Sequence, residues 1–555
     1  LSTTKITNIL AGIIILGFAI YVFISNTWDE NAEDSSPDSE DEAQKVSLEE
    51  FEGYGVSSSN DYAIETGMDI LEKGGNAIDA AVAVSFTLAV TEPYGSGLGG
   101  GGAMLYMPSL KNDPITYDYR ETASTQNPAD QIAVPGFVKG MKTIHEKHGE
   151  LPIDELLQPA ISYAENGFKV NSDLHYRLKN AAYRIHTEEV PHFYPGGEPI
   201  EIGETLVQKD LADTLKQLQT NGLNDFYEGN VSNSLTGQVP HINSSDLSQY
   251  TVDEKEPVKG TFEDHTVYSA PPPLSGTTFI QMLGMAEHLN IKNYLNNNNA
   301  EYIHLMSEIT REAYYQRLNT IGDPNFENVN VDHLTSDNFI RERANYVTES
   351  RLSDELTLDA QQDNNMQEHT STTHFVIIDK EGKTVSATNT LGNFFGSGNM
   401  VDGMWMNSNL GNFSDDPNSP NYIEIGKRPR SFIAPSIIKN ETSEVVMGIG
   451  TPGGNRIPGV LTQFLIRQAY LEEDYQDTVN AGRFHPEKDL IHLEDTEAFI
   501  EDQSLIAQLE SYGYDYQVEG VSTYFGNISA LIKDYDKQEM TGIADERREG
   551  SFDIN

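Results

Sequence analysis

Thr372-Thr373-His374-Phe375-Val376-Ile377-Ile378 runs into Asp379-Lys380-Glu381-Gly382, and Thr384-Val385-Ser386-Ala387-Thr388-Asn389-Thr390 follows. Two β-branched, alternating runs around an Asp/Gly turn predict a hairpin. The preceding stretch, 353–371, is acidic and polar and offers little to bury. A Thr that opens a core strand behind such a linker points to a precursor cut between Ser371 and Thr372. The new N-terminal Thr would carry nucleophile and base together, because its own α-amine can take the hydroxyl proton. Thr pairs are also ordinary β-branched strand fillers, so the local sequence leaves both readings open.

Outward from this hairpin, Gly450-Thr451-Pro452-Gly453-Gly454-Asn455-Arg456 follows a strand pattern (445–449) and precedes a helical run from Val460 to Tyr470. Glycine amides at such a turn can face a developing oxyanion, with a helix N-terminus behind them. Lys427-Arg428-Pro429-Arg430-Ser431 is a basic knot in an acidic chain. Further strands are expected at about 432–438. Near the front, residues 60–73 read as an amphipathic helix ended by Gly74-Gly75, and Asn76 caps a second helix that runs to about Val90. Gly95, Gly97 and Gly100 match G-x-G-x-x-G, but helix precedes and strand (Ala103 to Met107) follows, so a dinucleotide site is rejected. Residues 135–350 read as mostly helical, with apolar periodicity at Leu151 to Ala164, Leu206 to Leu218 and Tyr302 to Arg317. The period then switches from 3.6 to 2 near Thr372. This order predicts an α/β sandwich to which both cleavage products contribute.

The chain has 555 residues, with 36 Lys plus Arg against 86 Asp plus Glu and a formal charge of −50. Such a field argues against nucleic acid as partner. The absence of cysteine excludes disulfides and thiolate chemistry. His145-Glu146-Lys147-His148 is one residue short of zincin spacing, so no metal is expected. A mostly apolar run from Ile9 to Ile24 reads as an export signal or membrane anchor (1–26), and the acidic, Ser-rich stretch 27–50 as a disordered tether. The expected location is the outer face of a bacterial membrane or wall.

Gly74 to Ala81, Leu98 to Gly102, Asp118-Tyr119-Arg120-Glu121, Val134-Pro135-Gly136, Ser269 to Pro273, Gly322-Asp323-Pro324, Thr372 to His374, Lys427-Arg428-Pro429 and Pro452-Gly453-Gly454 occur in order. In this set the chain resembles the γ-glutamyltransferase family of N-terminal-nucleophile hydrolases, from about Gly55 to Gly550. The resemblance implies the four-layer αββα fold, a large piece (51–371) and a small piece (372–555) that stay together as a heterodimer, and no cofactor. It implies Thr372 as nucleophile, Thr390 as its support, Gly453 and Gly454 as oxyanion donors, Arg120 as the partner of the donor α-carboxylate, and Ser431, which matches the first of two adjacent family serines, as a substrate-binding residue. The donor is a γ-glutamyl peptide or polymer, and the acceptor an amine or water.

Departures from the family pattern narrow the donor. Arg430-Ser431-Phe432 replaces Leu-Ser-Ser, so a second serine is lost and a cation gained. Asn412 stands where relatives carry an acid for the free α-ammonium, and Gly392 where an Asn is common. The segment Asp415 to Gly426 is shorter than the lid of many relatives. Together these suit an open groove and a donor whose α-nitrogen is already acylated, as inside poly-γ-glutamate. Lys427, Arg428, Arg430, Arg456 and Arg547 are the candidates for a basic groove. The alternatives are a general glutathione hydrolase, an acylase of the cephalosporin type, and a non-catalytic surface protein that binds polyanion or wall.

Overall fold

The computed structural model of the protein describes residues 51–124, 131–295, 299–347, 371–440, 442, 444–471, 473–500 and 502–555. The anchor and tether expected within 1–50, and most of the linker before Ser371, lie outside the described residues. Among the described residues no helix is long and apolar enough to cross a membrane.

The hairpin forms as its alternation predicts. Ser371–Ile378 pairs antiparallel with Thr384–Gly392, with Thr372 opposite Thr390 and His374 opposite Thr388. Its Asp379 carboxylate accepts from Lys383 N at 2.9 Å, closing the turn, and from Ala77 N at 2.9 Å. Ala77 opens the helix Ala77–Thr91, so the turn acid sits on that helix's positive end. The helix has its expected capping box, formed by Asn76 and Asp79, and every one of its residues is buried. A helix that is apolar all round belongs inside a protein.

The hairpin occupies the middle of a seven-stranded antiparallel sheet. The order is Ser551–Ile554, Gly55–Ser58, Ser371–Ile378, Thr384–Gly392, Gly101–Met107, Ile115–Asp118, Asp253–Lys255. A second sheet has six strands: Glu539–Ala544, Ser529–Asp534, Val445–Gly450, Ser436–Asn440, His265–Ser269 and Val258–Phe262. Side chains alternate across a strand, which sorts the hairpin into two cores. Phe375 and Ile377 pack with the helix Ala77–Thr91. Val376 and Ile378 pack with the second sheet and its helices Gly276–His288, Asn299–Thr320 and Ile457–Leu471. The result is helix, sheet, sheet, helix, as the family resemblance implied.

The sheets touch where glycine permits. A Cβ on Gly448 would stand 2.5 Å from Val376 Cγ1, and one on Gly450 would stand 2.3 Å from His374 Cε1. Thr372, His374 and Val376 therefore face the second sheet. The strand Val445–Gly450 runs past them toward Thr372.

One expectation needs correction. The strand expected at about 432–438 begins at Ser436, because Pro435 has no N–H to give the ladder. The stretch 135–350 is mostly helical, as expected; its strands Asp253–Lys255, Val258–Phe262 and His265–Ser269 lie at sheet edges or next to them, where charged outward positions mask the alternation. His145 and His148 make local contacts, His145 Nε2 lying 2.7 Å from Leu151 O and His148 Nε2 lying 2.6 Å from Tyr117 Oη.

Candidate active site

Thr372 and Thr390 form a cross-strand pair on the face between the sheets, both buried. The chain runs unbroken through Ser371 and Thr372. Thr390 Oγ1 lies 3.5 Å from Thr372 Oγ1 and 3.4 Å from Ser371 O, and accepts from Gly392 N at 3.0 Å. One hydroxyl has one proton and two lone pairs. The arrangement closes if Thr390 donates to the Ser371 carbonyl and accepts from Thr372 and Gly392. It polarises the carbonyl and aims the Thr372 oxygen lone pairs away from Thr390. A bulge between Thr390 and Gly392 makes this possible, and Gly392 has φ +91°. A side chain there would meet Ser408 Oγ at 2.6 Å.

The early glycine run packs backbone against this pair. Gly95 lies alongside the Thr372 backbone, and a Cβ on Gly100 would stand 2.4 Å from Thr390 O. From the other sheet, Gly450 covers His374, and the chain continues toward Thr372 as Thr451 to Gly454. Gly453 (φ +141°) and Gly454 (φ +60°) hold backbone conformations that other residues rarely adopt. Neither amide donates a hydrogen bond among the described residues. Burial holds His374 down to about 3, so it is neutral and serves as an inter-sheet spacer, with Nδ1 on Thr388 Oγ1 at 2.8 Å.

Arg120 is fully buried. Its Nε bonds Glu121 Oε2 at 2.9 Å, while Nη1 and Nη2 have no hydrogen-bond partner among the described residues. A buried guanidinium with two unpaired donor nitrogens has the geometry to take a carboxylate in a bidentate pair. Glu121 Oε1 accepts from Asn409 Nδ2 at 2.7 Å, and Asn409 Oδ1 accepts from Asn412 Nδ2 at 3.1 Å. Arg120 and Asn412 are therefore joined by one buried relay, whose middle members the sequence reading missed. Asn409 carries no motif of its own; its role emerges only from the short helical turn Asn409–Asn412. Ser431 Oγ accepts from Ile433 N at 3.4 Å, and Ser431 O from Ser275 Oγ at 3.0 Å.

Four of the five side chains expected to line a basic groove are engaged by partners within the protein. Arg430 Nη1 donates to the carbonyls of Arg317 and Leu318, at 3.1 and 2.9 Å, at the end of the helix Asn299–Thr320. Arg547 Nε and Nη2 bond the Glu494 carboxylate at 2.5 and 2.8 Å, and Nη1 bonds Asp545 Oδ1 at 3.1 Å. Arg428 pairs with Asp253 at 3.0 Å, and Lys427 with Glu327 and Glu424 at 2.7 and 3.0 Å. Most of these partners come from distant sequence, whereas Glu424 and Asp545 lie three and two residues from Lys427 and Arg547. The segment Asp415 to Gly426 folds back on itself, with Ser414 N on Asn421 O at 3.0 Å and Asn421 Nδ2 on Asn412 O at 2.7 Å.

The γ-glutamyltranspeptidase family model matches residues 63–553. The chain is 43% identical over 505 residues to the capsule biosynthesis protein CapD proenzyme of Bacillus anthracis, covering 90% of this chain and 91% of that one. It is 30% identical over 538 residues to the glutathione hydrolase proenzyme of Bacillus subtilis, covering 89% and 90%. In fold it is similar to the cephalosporin acylase of Bacillus halodurans, with a TM-score of 0.79 at 24% identity over 90% of this chain and 96% of that one. By this match along nearly all the described residues, in a sandwich of the same type, the chain belongs to the γ-glutamyltranspeptidase family of N-terminal-nucleophile hydrolases and is an enzyme of that family.

Proposed function

We propose that the protein is a self-cleaving surface enzyme that cuts poly-γ-glutamate and passes the fragment to an amine or to water. The observation that carries the maturation step is the Thr390 hydroxyl, set between Thr372 Oγ1 and the Ser371 carbonyl. Thr372 Oγ1 attacks that carbonyl carbon. The C–N bond to Thr372 breaks, the nitrogen takes the hydroxyl proton, and water hydrolyses the ester. Residues 51–371 and 372–555 become two pieces of one sandwich. The freed α-amine then takes the Thr372 proton as Oγ1 attacks a γ-glutamyl amide. The oxyanion falls to the amides of Gly453 and Gly454. The departing nitrogen is protonated, and an amine or water releases the acyl group.

Arg120 Nη1 and Nη2 take the donor α-carboxylate, beside Ser431. The polymer reading rests on Asn412: it is uncharged, and its amide is spent on Asn409, so it supplies no anion for a free α-ammonium. The capsule role in the name of the Bacillus anthracis relative agrees with this substrate. Recognition of the polymer's further carboxylates does not depend on Arg430 or Arg547, which are paired elsewhere. The apolar run within 1–26 exports the chain and holds it at the bacterial surface.

The test has two arms. Thr372→Ala should stay a single chain on a denaturing gel; normal processing in that variant would sink the nucleophile assignment. Mature wild type should shorten purified poly-γ-glutamate and, with an added amine, yield capped fragments. Turnover of glutathione with intact polymer left behind would favour the glutathione hydrolase reading instead.

A further inference from the structure

The glycine turn is backed by side chains that the chemistry above leaves unused. Arg456, three residues past Gly453, is buried, and its guanidinium lies over the Tyr524 ring at 4.0 Å rather than against a carboxylate. Tyr524 lies in the turn Ser522–Phe525. The next residue, Gly526, presses on the glycine turn itself: a Cβ there would stand 2.1 Å from Pro452 O and 2.8 Å from Thr451 Oγ1. Tyr524 in turn meets the His492 ring, with centroids 5.2 Å apart.

His492 is bound on both sides. Nδ1 lies 2.6 Å from Glu519 Oε1 and Nε2 lies 3.2 Å from Glu487 Oε2. A neutral imidazole has one N–H and serves one carboxylate; two such bonds need the imidazolium. Burial pulls His492 down, but the hydrogen bonds to Glu487 and Glu519 outweigh it and leave the group above its ordinary value. The other groups facing it are Tyr524, with Arg456 behind, and His485, whose ring is 6.5 Å away and which burial and Arg456 keep neutral. Gln517 Nε2 holds Glu519 Oε1 at 2.8 Å.

Resting on the reading of Gly453 and Gly454 as oxyanion donors, we propose that His492, Tyr524 and Arg456 are positioning residues that brace the glycine turn while His492 is protonated. The imidazolium, held between Glu487 and Glu519, fixes Tyr524, and Tyr524 fixes Arg456 and the turn. Loss of the proton removes one of the two histidine–carboxylate bonds and leaves Glu487 and Glu519 repelling. The brace is complete below the ordinary histidine pKa of about 6.5 and is lost as pH rises through the raised value. Turnover thus acquires an alkaline limb that belongs neither to substrate nor to Thr372.

The experiment follows poly-γ-glutamate cleavage by the mature enzyme from about pH 6 to about pH 10, at fixed ionic strength. His492→Gln should lose the alkaline limb in kcat. Tyr524→Leu should lower kcat roughly tenfold to a hundredfold with little change in KM, since small misplacements of catalytic groups have effects of that order. Tyr524→Phe, which keeps the ring, should restore it. A wild-type profile without the limb, a limb that His492→Gln leaves unchanged, or a Tyr524→Leu enzyme with wild-type kcat overturns the brace. If Tyr524→Leu does not fold, the shape of the His492→Gln profile decides alone, because it is independent of the amount of active enzyme. Gly453→Ala separates the two ideas. Wild-type turnover in Gly453→Ala sinks the oxyanion reading, whereas its loss alongside unaffected brace variants sinks the brace only.

Discussion

Thr390 has one proton and three neighbours: Thr372, the Ser371 carbonyl and Gly392 N. Thr390→Ala removes the donor to the carbonyl and should slow self-cleavage at least tenfold, by the scale of single oxyanion donors. Thr390→Ser should process nearly as wild type; equal gel time courses for Ala and wild type would discard the role. At Asn412 the structure alters the expected effect of substitution. A carboxylate there can make a charge-assisted bond to a free α-ammonium, about 1.5–3 kcal/mol, but gives up the bond to Asn409 Oδ1, about 1 kcal/mol. Asn412→Asp should therefore raise kcat/KM for a small free-amine donor by about tenfold and impair polymer cleavage. Unchanged kinetics with both donors would remove Asn412 from the site. The cross-strand placement of Thr372 and Thr390 was legible because both lie in the alternating runs of the hairpin. The true partners of Arg430 and Arg547 were not. Of Arg547's two acids, Asp545 is local but Glu494 is 53 residues away in sequence, and no local pattern announces it.

The two sheets meet through glycines, and that contact sets where the turn after Gly450 points. Gly450→Ala would drive a methyl into the His374 ring, which is itself held by Thr388. Overpacking of this kind costs about 1–3 kcal/mol, so Tm should fall by several degrees and processing should slow with it. A variant of unchanged Tm and activity would show that the sheets part freely at that point. The hairpin was readable because its alternation is long and its turn has Asp and Gly where needed. The strands between 253 and 269 were not: Val258–Phe262 buries its two ends and exposes Lys259 and Thr261, a pattern too short to stand out from the helices around it.

Across the whole molecule, a formal charge of −50 repels a polyanionic substrate before any contact forms. Because Lys427, Arg428, Arg430 and Arg547 are spent on internal partners, little local attraction offsets that field. Salt shortens the Debye length to about 10 Å at 0.1 M. Polymer cleavage should therefore accelerate between low and moderate salt while small-donor turnover barely changes. A steep fall in polymer cleavage over the same range would mean that attraction governs encounter. Composition made the sign of this field plain; the fate of each cation needed the fold. The order of strands carries one more implication. Walking across the first sheet, chain from after Ser371 alternates with chain from before it, first at Ser551–Ile554 and Gly55–Ser58, then at the hairpin and Gly101–Met107. Neither half holds all of its strands of that sheet in one block: Gly55–Ser58 is cut off from Gly101–Met107 by the hairpin, and Ser551–Ile554 from the hairpin by Gly55–Ser58. The proposed cut is thus no seam along which ancestors could have traded parts: halves drawn from diverged relatives would have to match along every shared strand border at once. Inheritance should have kept the two pieces as a single gene, varying together.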